Sequence, residues 1–129
     1  MARAIALVPD LLFGSRLQGA CAASGLELEL LGDERQLREL LERRPAGAGD
    51  VLVIDLTDPD LDGPALVQSL RDGGELGPMG TLGFYAHVDV AARERAERAG
   101  FDLVVARSRM AREGERLLAG VARDSAAGA

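Results

Sequence analysis

The sequence predicts a doubly wound α/β domain, a five-stranded parallel sheet held between two layers of helices. Three observations carry that reading. Five short apolar segments alternate with five stretches of helical spacing, the pattern that builds βαβ units. The connections are short and marked by Gly, Pro and Asp. One segment, Val51 to Ile54, is apolar throughout, as a strand covered on both faces must be, whereas Leu26 to Leu31 alternates Leu with Glu, as a half-wetted edge strand does. The second strand therefore belongs at the rim and the third in the middle, which is the order 2-1-3-4-5 of a three-layer α/β/α sandwich.

Each element has its own residues behind it. Ala4 to Val8 is the first strand, closed by Pro9-Asp10 because proline cannot donate to a ladder. Leu11 to Ser24 carries Leu11, Phe13, Leu17, Ala20 and Cys21 near helical spacing, with Ser24-Gly25 as the exit. Cys21 reads as a small core residue on that face. After the edge strand, Asp33 with Gln36 three residues on opens a helix whose buried face is Leu37, Leu40 and Leu41, ending before Pro45. The third strand, Val51 to Ile54, surfaces at Asp55 and breaks into a turn. Gly63-Pro64 then opens a helix to Arg71 with Leu66, Val67 and Leu70 inward. Thr81 to Ala86 is the fourth strand, and Asp89 is placed to cap a helix from Val90 to Ala99 whose Arg and Glu residues form a solvated, paired face. Leu103 to Ala106 is the fifth strand, Arg107-Ser108-Arg109 its exit, and Met110 to Ala122 a last helix burying Met110, Leu117, Leu118 and Val121. The domain is expected over 1–123, with 124–129 a small, polar, frayed tail.

Composition narrows the function. A chain of 129 residues is the size of one domain and buries a core without staples. With 21 acidic and 15 basic residues the net charge is −6, which argues against nucleic acid or an anionic membrane as the main partner. Every basic residue is Arg and none is Lys. The single Cys21 cannot form an internal disulfide, no apolar run approaches a membrane span, and no signal-peptide pattern is seen, so a cytoplasmic location is expected.

In a parallel sheet the carboxyl ends of the strands share one edge, where open α/β folds bind ligands. That edge gathers Asp10, Asp55, Thr57, Asp58, Tyr85, His87, Arg107, Ser108 and Arg109. Two close carboxylates in a partly dry site stay ionised when a cation sits between them, and hard oxygen ligands suit Mg²⁺. An Asp oxygen so placed is also a nucleophile toward phosphorus. The alternative left open by the residues alone is that Asp10 and Asp55 serve only in strand-end capping and turn formation.

The stretch from Asp55 to Gly63, with Pro59 between them, resembles the phosphoacceptor strand and following loop of response-regulator receiver domains. Val8-Pro9-Asp10 after the first strand and Ala99-Gly100-Phe101-Asp102 before the fifth are similar too, so the likeness covers nearly the whole chain. It implies a flavodoxin-like, CheY-like fold, Asp55 as phosphoacceptor, and Mg²⁺ on Asp10, Asp55 and the Thr57 carbonyl. Tyr85 and Arg107 then occupy the positions that read the phosphoryl group. The departures matter as much. Receivers carry two consecutive acids after the first strand, where this chain has Pro9 and then Asp10, which weakens metal binding. Tyr85 stands where the family has Ser or Thr, and Arg107-Ser108 where it has Lys-Pro. Arg is longer and planar and does not replace a compact ammonium.

These features together imply a stand-alone atypical or pseudo-receiver. It is expected to be no enzyme but a signalling or protein-interaction module with weak or no phosphorylation. Its partner would be a histidine kinase or effector, or a second copy through the face of the fourth helix, fifth strand and fifth helix. In that setting His87, Ser108 and Arg109 beside Arg107 can hold a different anion, or pin the loops through charge-assisted bonds to Asp55 and Asp10. The first alternative is a working response regulator phosphorylated at Asp55 with Mg²⁺. The second is a small enzyme or ligand-binding domain using Asp55, His87, Asp89 and Arg107, although no nucleophile elbow or Gly-rich phosphate loop supports it.

Overall fold

The structure, a computed structural model, describes residues 2–86 and 89–128. In chain order it contains β1 (Arg3–Leu7), α1 (Leu11–Ser24), β2 (Glu27–Leu31), α2 (Glu34–Arg43), β3 (Val51–Asp55), α3 (Gly63–Asp72), β4 (Gly80–Tyr85), α4 (Val90–Arg98), β5 (Leu103–Ala106) and α5 (Arg107–Ala127). The strands form one sheet in the order β2-β1-β3-β4-β5, parallel throughout. This is the 2-1-3-4-5 order that the alternation predicts and the flavodoxin-like, CheY-like fold that the resemblance implies. β3 is buried along its whole length and β2 is partly exposed, as their residue patterns require.

Strand alternation divides the core in two. Ala4, Ala6, Val51, Val53, Leu82 and Phe84 face α1 and α5, where Phe13, Leu17, Cys21, Met110, Leu117, Leu118 and Val121 meet them. Ile5, Leu7, Leu52 and Ile54 face the opposite layer and pack on residues of α2, α3 and α4 such as Leu37, Leu41, Val67, Leu70 and Ala96. Each of the larger side chains contributes about 1.5–3 kcal/mol by leaving water. Burial pushes the Cys21 thiol up to about 11, so it is a packed hydrophobe and not a nucleophile.

Helix starts follow the sequence signals. Asp10, Asp33, Asp62 and Asp89 cap α1, α2, α3 and α4, each accepting from backbone N–H groups of the first turn. The Gln36 N–H donates to Asp33 Oδ1 at 2.9 Å, and Gln36 Oε1 accepts from the Gly32 N–H at 2.6 Å, one residue before the cap, so the return bond of the expected box falls on Gly32 and not on Asp33. Gly25 ends α1 with φ 76°, a left-handed conformation suited to glycine.

Three expectations are corrected. Leu11 was assigned to the inward face of α1, but it and Leu12 are 89% and 82% exposed. The first turn hangs from the Asp10 cap, and Phe13 is the residue that turns into the core. Arg107-Ser108-Arg109 is not an exit loop but the first turn of α5, since none of the three residues breaks a helix. At its other end α5 continues through Ala127, past the expected stop at Ala122, so most of the expected 124–129 tail is helical. Buried Ser125 anchors it, donating to the Pro78 carbonyl at 2.7 Å and accepting from the Gly49 N–H at 3.0 Å. The same helix presses on β4 at Gly80, where an added Cβ would lie 2.6 Å from Val121 Cγ1.

At the amino ends of the strands a buried ion pair holds β1 to β3. Arg3 Nε donates to Asp50 Oδ2 at 3.2 Å, and the Arg3 backbone N–H donates to Oδ1 at 3.1 Å. Arg3 Nη2 also donates to the carbonyls of Arg44 and Pro45, closing the loop after α2. Among the described residues no helix is long and apolar enough to cross a membrane.

Candidate functional site at the carboxyl edge of the sheet

Leu7 is paired with Ile54, so β1 and β3 leave the sheet side by side and carry Asp10 and Asp55 to the same edge. Asp55 continues the alternation of Val51 and Val53 and therefore lies on the α1 and α5 side, level with Phe84 of β4. It is almost fully buried. Thr57 folds back on it: the Thr57 N–H and hydroxyl both donate to Asp55 Oδ1, at 2.9 and 2.6 Å. This is a closed local turn, which keeps a buried carboxylate hydrogen-bonded.

Asp10 is fully committed. Its Oδ1 accepts from the Leu12 and Phe13 N–H groups at 2.9 and 3.1 Å, and its Oδ2 accepts from Arg107 Nη2 at 2.5 Å. Arg107 reaches there because α5 begins at the very end of β5, beside the start of α1. Its guanidinium lies 4.6 Å from the centroid of Phe13 and 6.0 Å from that of Phe84. The two rings pack on each other at 4.7 Å. An aromatic shelf thus carries the cation, and Asp10 fixes its end.

The Phe13 N–H first, and the Arg107 guanidinium next, hold the Asp10 carboxyl below its ordinary value of 3.8. A carboxyl lowered on folding stabilises the folded state above its unfolded value and loses that contribution as pH falls through the folded one. The Asp10–Arg107 contact is therefore expected to be constant from neutral pH down to about pH 5 and to open on acidification below 3.8. The Arg107 Nε–H resonance followed against pH checks this. Movement centred near neutrality would contradict it.

The other expected site residues separate. Tyr85 follows Phe84 on β4, and alternation turns it toward the α3 and α4 side, away from Asp55. Its hydroxyl has no hydrogen-bond partner among the described residues. Arg109 pairs with Glu113 along α5 at 3.1 Å, so it joins neither Asp10 nor Asp55. Ser108 is exposed and lines a groove of about 670 Å³ with Phe13, Arg16 and Arg107. Asp58 stays in its loop, accepting from the Asp60 N–H, and Asp89 serves as the cap of α4. His87 lies outside the described residues. Phe13 and Phe84, which shape the site most, were read only as apolar. An aromatic residue three positions after an acid, and another one position before a strand end, were the available signals.

Mg²⁺ is the group that the resemblance implies, and the donors present can be tested for it. Asp10 Oδ1, Asp10 Oδ2 and Asp55 Oδ1 all accept hydrogen bonds from the chain itself. A guanidinium already neutralises Asp10, and a divalent ion beside it would meet like charge. Among the described residues no three His, Cys, Asp or Glu converge as a metal cage. The residues as arranged do not fit Mg²⁺.

No protein-family model matches the sequence, and no curated protein sequence does either. Solved structures do match in fold. A candidate response regulator from Chloroflexus aurantiacus J-10-fl superposes with a TM-score of 0.79 at 19% identity, covering 95% of this chain and 98% of that one. The receiver domain of TorR, the response regulator of the TMAO respiratory system, gives 0.75 at 18% identity over 94% and 99%. An orphan response regulator of H. pylori gives 0.72 at 13% identity over 96% of each chain. The fold is that of receiver domains.

Proposed function

We propose that this chain is an atypical receiver, a signalling module that works through protein contacts and takes phosphate on Asp55 weakly or not at all. The observation that supports it most is the engagement of Arg107. In a receiver the cation at the end of the fifth strand must be free to meet a phosphoryl group, and here it is spent on Asp10 and stacked on Phe13. The closed Thr57 turn over Asp55 and the position of Tyr85 on the other side of the sheet point the same way. The chemistry is recognition and not turnover. Its partners on this reading are a histidine kinase, an effector protein, or a second copy joined through the face of α4, β5 and α5, in the cytoplasm. Mg²⁺ is at most a weak ligand.

A second reading, a working response regulator, keeps one observation in its favour: Asp55 stands at the end of the central strand, beside Asp10, as a phosphoacceptor would. Intact mass after incubation with acetyl phosphate and Mg²⁺ separates the two. The expected result is no phosphoryl-sized gain on the wild type, and an Asp55→Asn variant that folds as the wild type does. A stoichiometric gain that disappears in Asp55→Asn would establish the second reading instead.

A further inference from the structure

We propose that the outer face of α1, with Leu30 of β2 beside it, is the surface through which two copies of this chain associate. This pairing goes beyond the receiver reading above, since it holds whether or not Asp55 takes phosphate. It leaves the face of α4, β5 and α5 to a kinase or effector.

A helix on the outside of a domain turns charge to water, and one that is uncharged all round is normally covered on both sides. α1 is of the second kind: Arg16 is its one charged residue, in a chain where 28% of residues are charged. Phe13, Leu17 and Cys21 fill its inward face. Leu11, Leu12, Ser15, Gly19, Ala22 and Ala23 are exposed and follow helical spacing along the outer one. Four large apolar side chains are exposed among the described residues, Leu11, Leu12, Leu30 and Val90, and the first three share this surface. Leu30 belongs to it because it stands beside α1 at Gly14, where an added Cβ would meet Leu30 Cδ1 at 3.5 Å. Apolar exposure gathered in this way marks an interaction surface.

Gly19 points the same way. Glycine inside a helix costs stability relative to alanine, and a Cβ at Gly19 would meet nothing within 4 Å in this chain. The single chain has no use for the missing side chain. A second backbone lying close along α1 does.

Charge selects a second copy as the occupant. α1 lies between α5 and β2, and its two flanks differ in sign. On the α5 side, Arg16 and Arg112 have no ion-pair partner among the described residues, and on the β2 side neither have Glu29 and Asp33. In a two-fold pair with its axis along α1, the α5 flank of each copy faces the β2 flank of the other. Basic then meets acidic on both sides, and the uncharged helix faces meet between them. A wholly acidic or wholly basic partner would match one flank and not the other. A helix face about 21 Å long falls short of the roughly 800 Å² per partner of a standard interface, so the pairing is weak, in the micromolar range.

Sedimentation equilibrium of the full chain from about 10 µM to about 1 mM reads the association directly. The wild type is expected to pass from monomer to dimer across that range. Gly19→Glu places a carboxylate where the two helices meet and is expected to weaken the pairing at least about a hundredfold. Its melting temperature at low concentration should not fall, because the position is open and Glu is the better helix former. Leu12→Glu, at another exposed position of the face, is expected to act alike. Val90→Glu, at the start of α4, is expected to leave the dimer as it is. A wild type that stays monomeric overturns the inference and leaves the face to a partner of different sequence. A dimer that survives Gly19→Glu and Leu12→Glu overturns it too, and so does loss of the dimer in a folded Val90→Glu. Phosphorylation of Asp55 would overturn the functional reading above and leave the sedimentation result unchanged.

Discussion

Asp50→Ala is expected to cost about 3–5 kcal/mol, the penalty for stranding one partner of a buried ion pair. Domains of this size are stable by only about 5–15 kcal/mol, so Tm should fall by roughly 10–20 °C and a part of the population should unfold at ambient temperature. The reason lies in Arg3. Its side chain is 1% exposed, its Nη1 already lacks a hydrogen-bond partner among the described residues, and guanidinium cannot shed its proton. Removing Asp50 leaves a permanent charge in the core and takes away the acceptor for the Arg3 and Gly47 N–H groups as well. Arg3→Met should cost less, because Asp50 keeps those two backbone donors. The double variant Arg3→Met with Asp50→Ala should be more stable than Asp50→Ala alone. Denaturant melts of the three proteins check the order. Equal losses from both single variants would mean that the pair contributes as packing and not as charge.

That pair shows where the sequence was legible and where it was not. The sheet order could be read because period-two and fully apolar patterns report directly on how many faces of a strand are wet, as in Leu26 to Leu31 and Val51 to Ile54. The caps Asp33 and Asp89 could be read because the cap is a local bond within four residues, whereas Asp10 and Asp62 cap α1 and α3 without having been singled out for it. The Arg3–Asp50 contact depends on register: Ala4 pairs with Val51, which sets the residues before them side by side. Nothing in either segment announces it, although two opposite charges heading two buried strands would have been a usable hint. The same holds at the other edge. Arg107 bonds Asp10, and Asp55 stands at the end of the neighbouring strand with Thr57 as its partner. Which acid Arg107 meets was decided by α5 starting directly after β5, and helix starts without a capping side chain, here after Ala106, leave no mark in the sequence. Arg109 illustrates the converse, a residue two positions away that helical geometry points along α5 to Glu113.

Phe84→Ala is the other substitution with a large expected effect, about 3–5 kcal/mol for truncating a fully buried ring. Part of that loss is the edge of the aromatic pair with Phe13, roughly 0.5–1.5 kcal/mol. The more informative change is Phe84→Leu, which keeps most of the apolar volume and removes the ring, so the fold should survive with a smaller loss. If the two rings position Arg107, its Nε–H should then exchange faster with solvent and its bond to Asp10 should weaken, while Asp33, Asp62 and Asp89 go on capping their helices unchanged. If Arg107 is held by Asp10 alone, Phe84→Leu will soften the core without touching that exchange rate, and only Asp10→Asn will release it. Arg107 stacks closer to Phe13 than to Phe84, so Phe13→Leu should have the stronger effect of the two. The ranking Phe13→Leu above Phe84→Leu above wild type in exchange rate is the signature of a cation carried on a shelf, and a guanidinium held by its ion pair alone would show no such order.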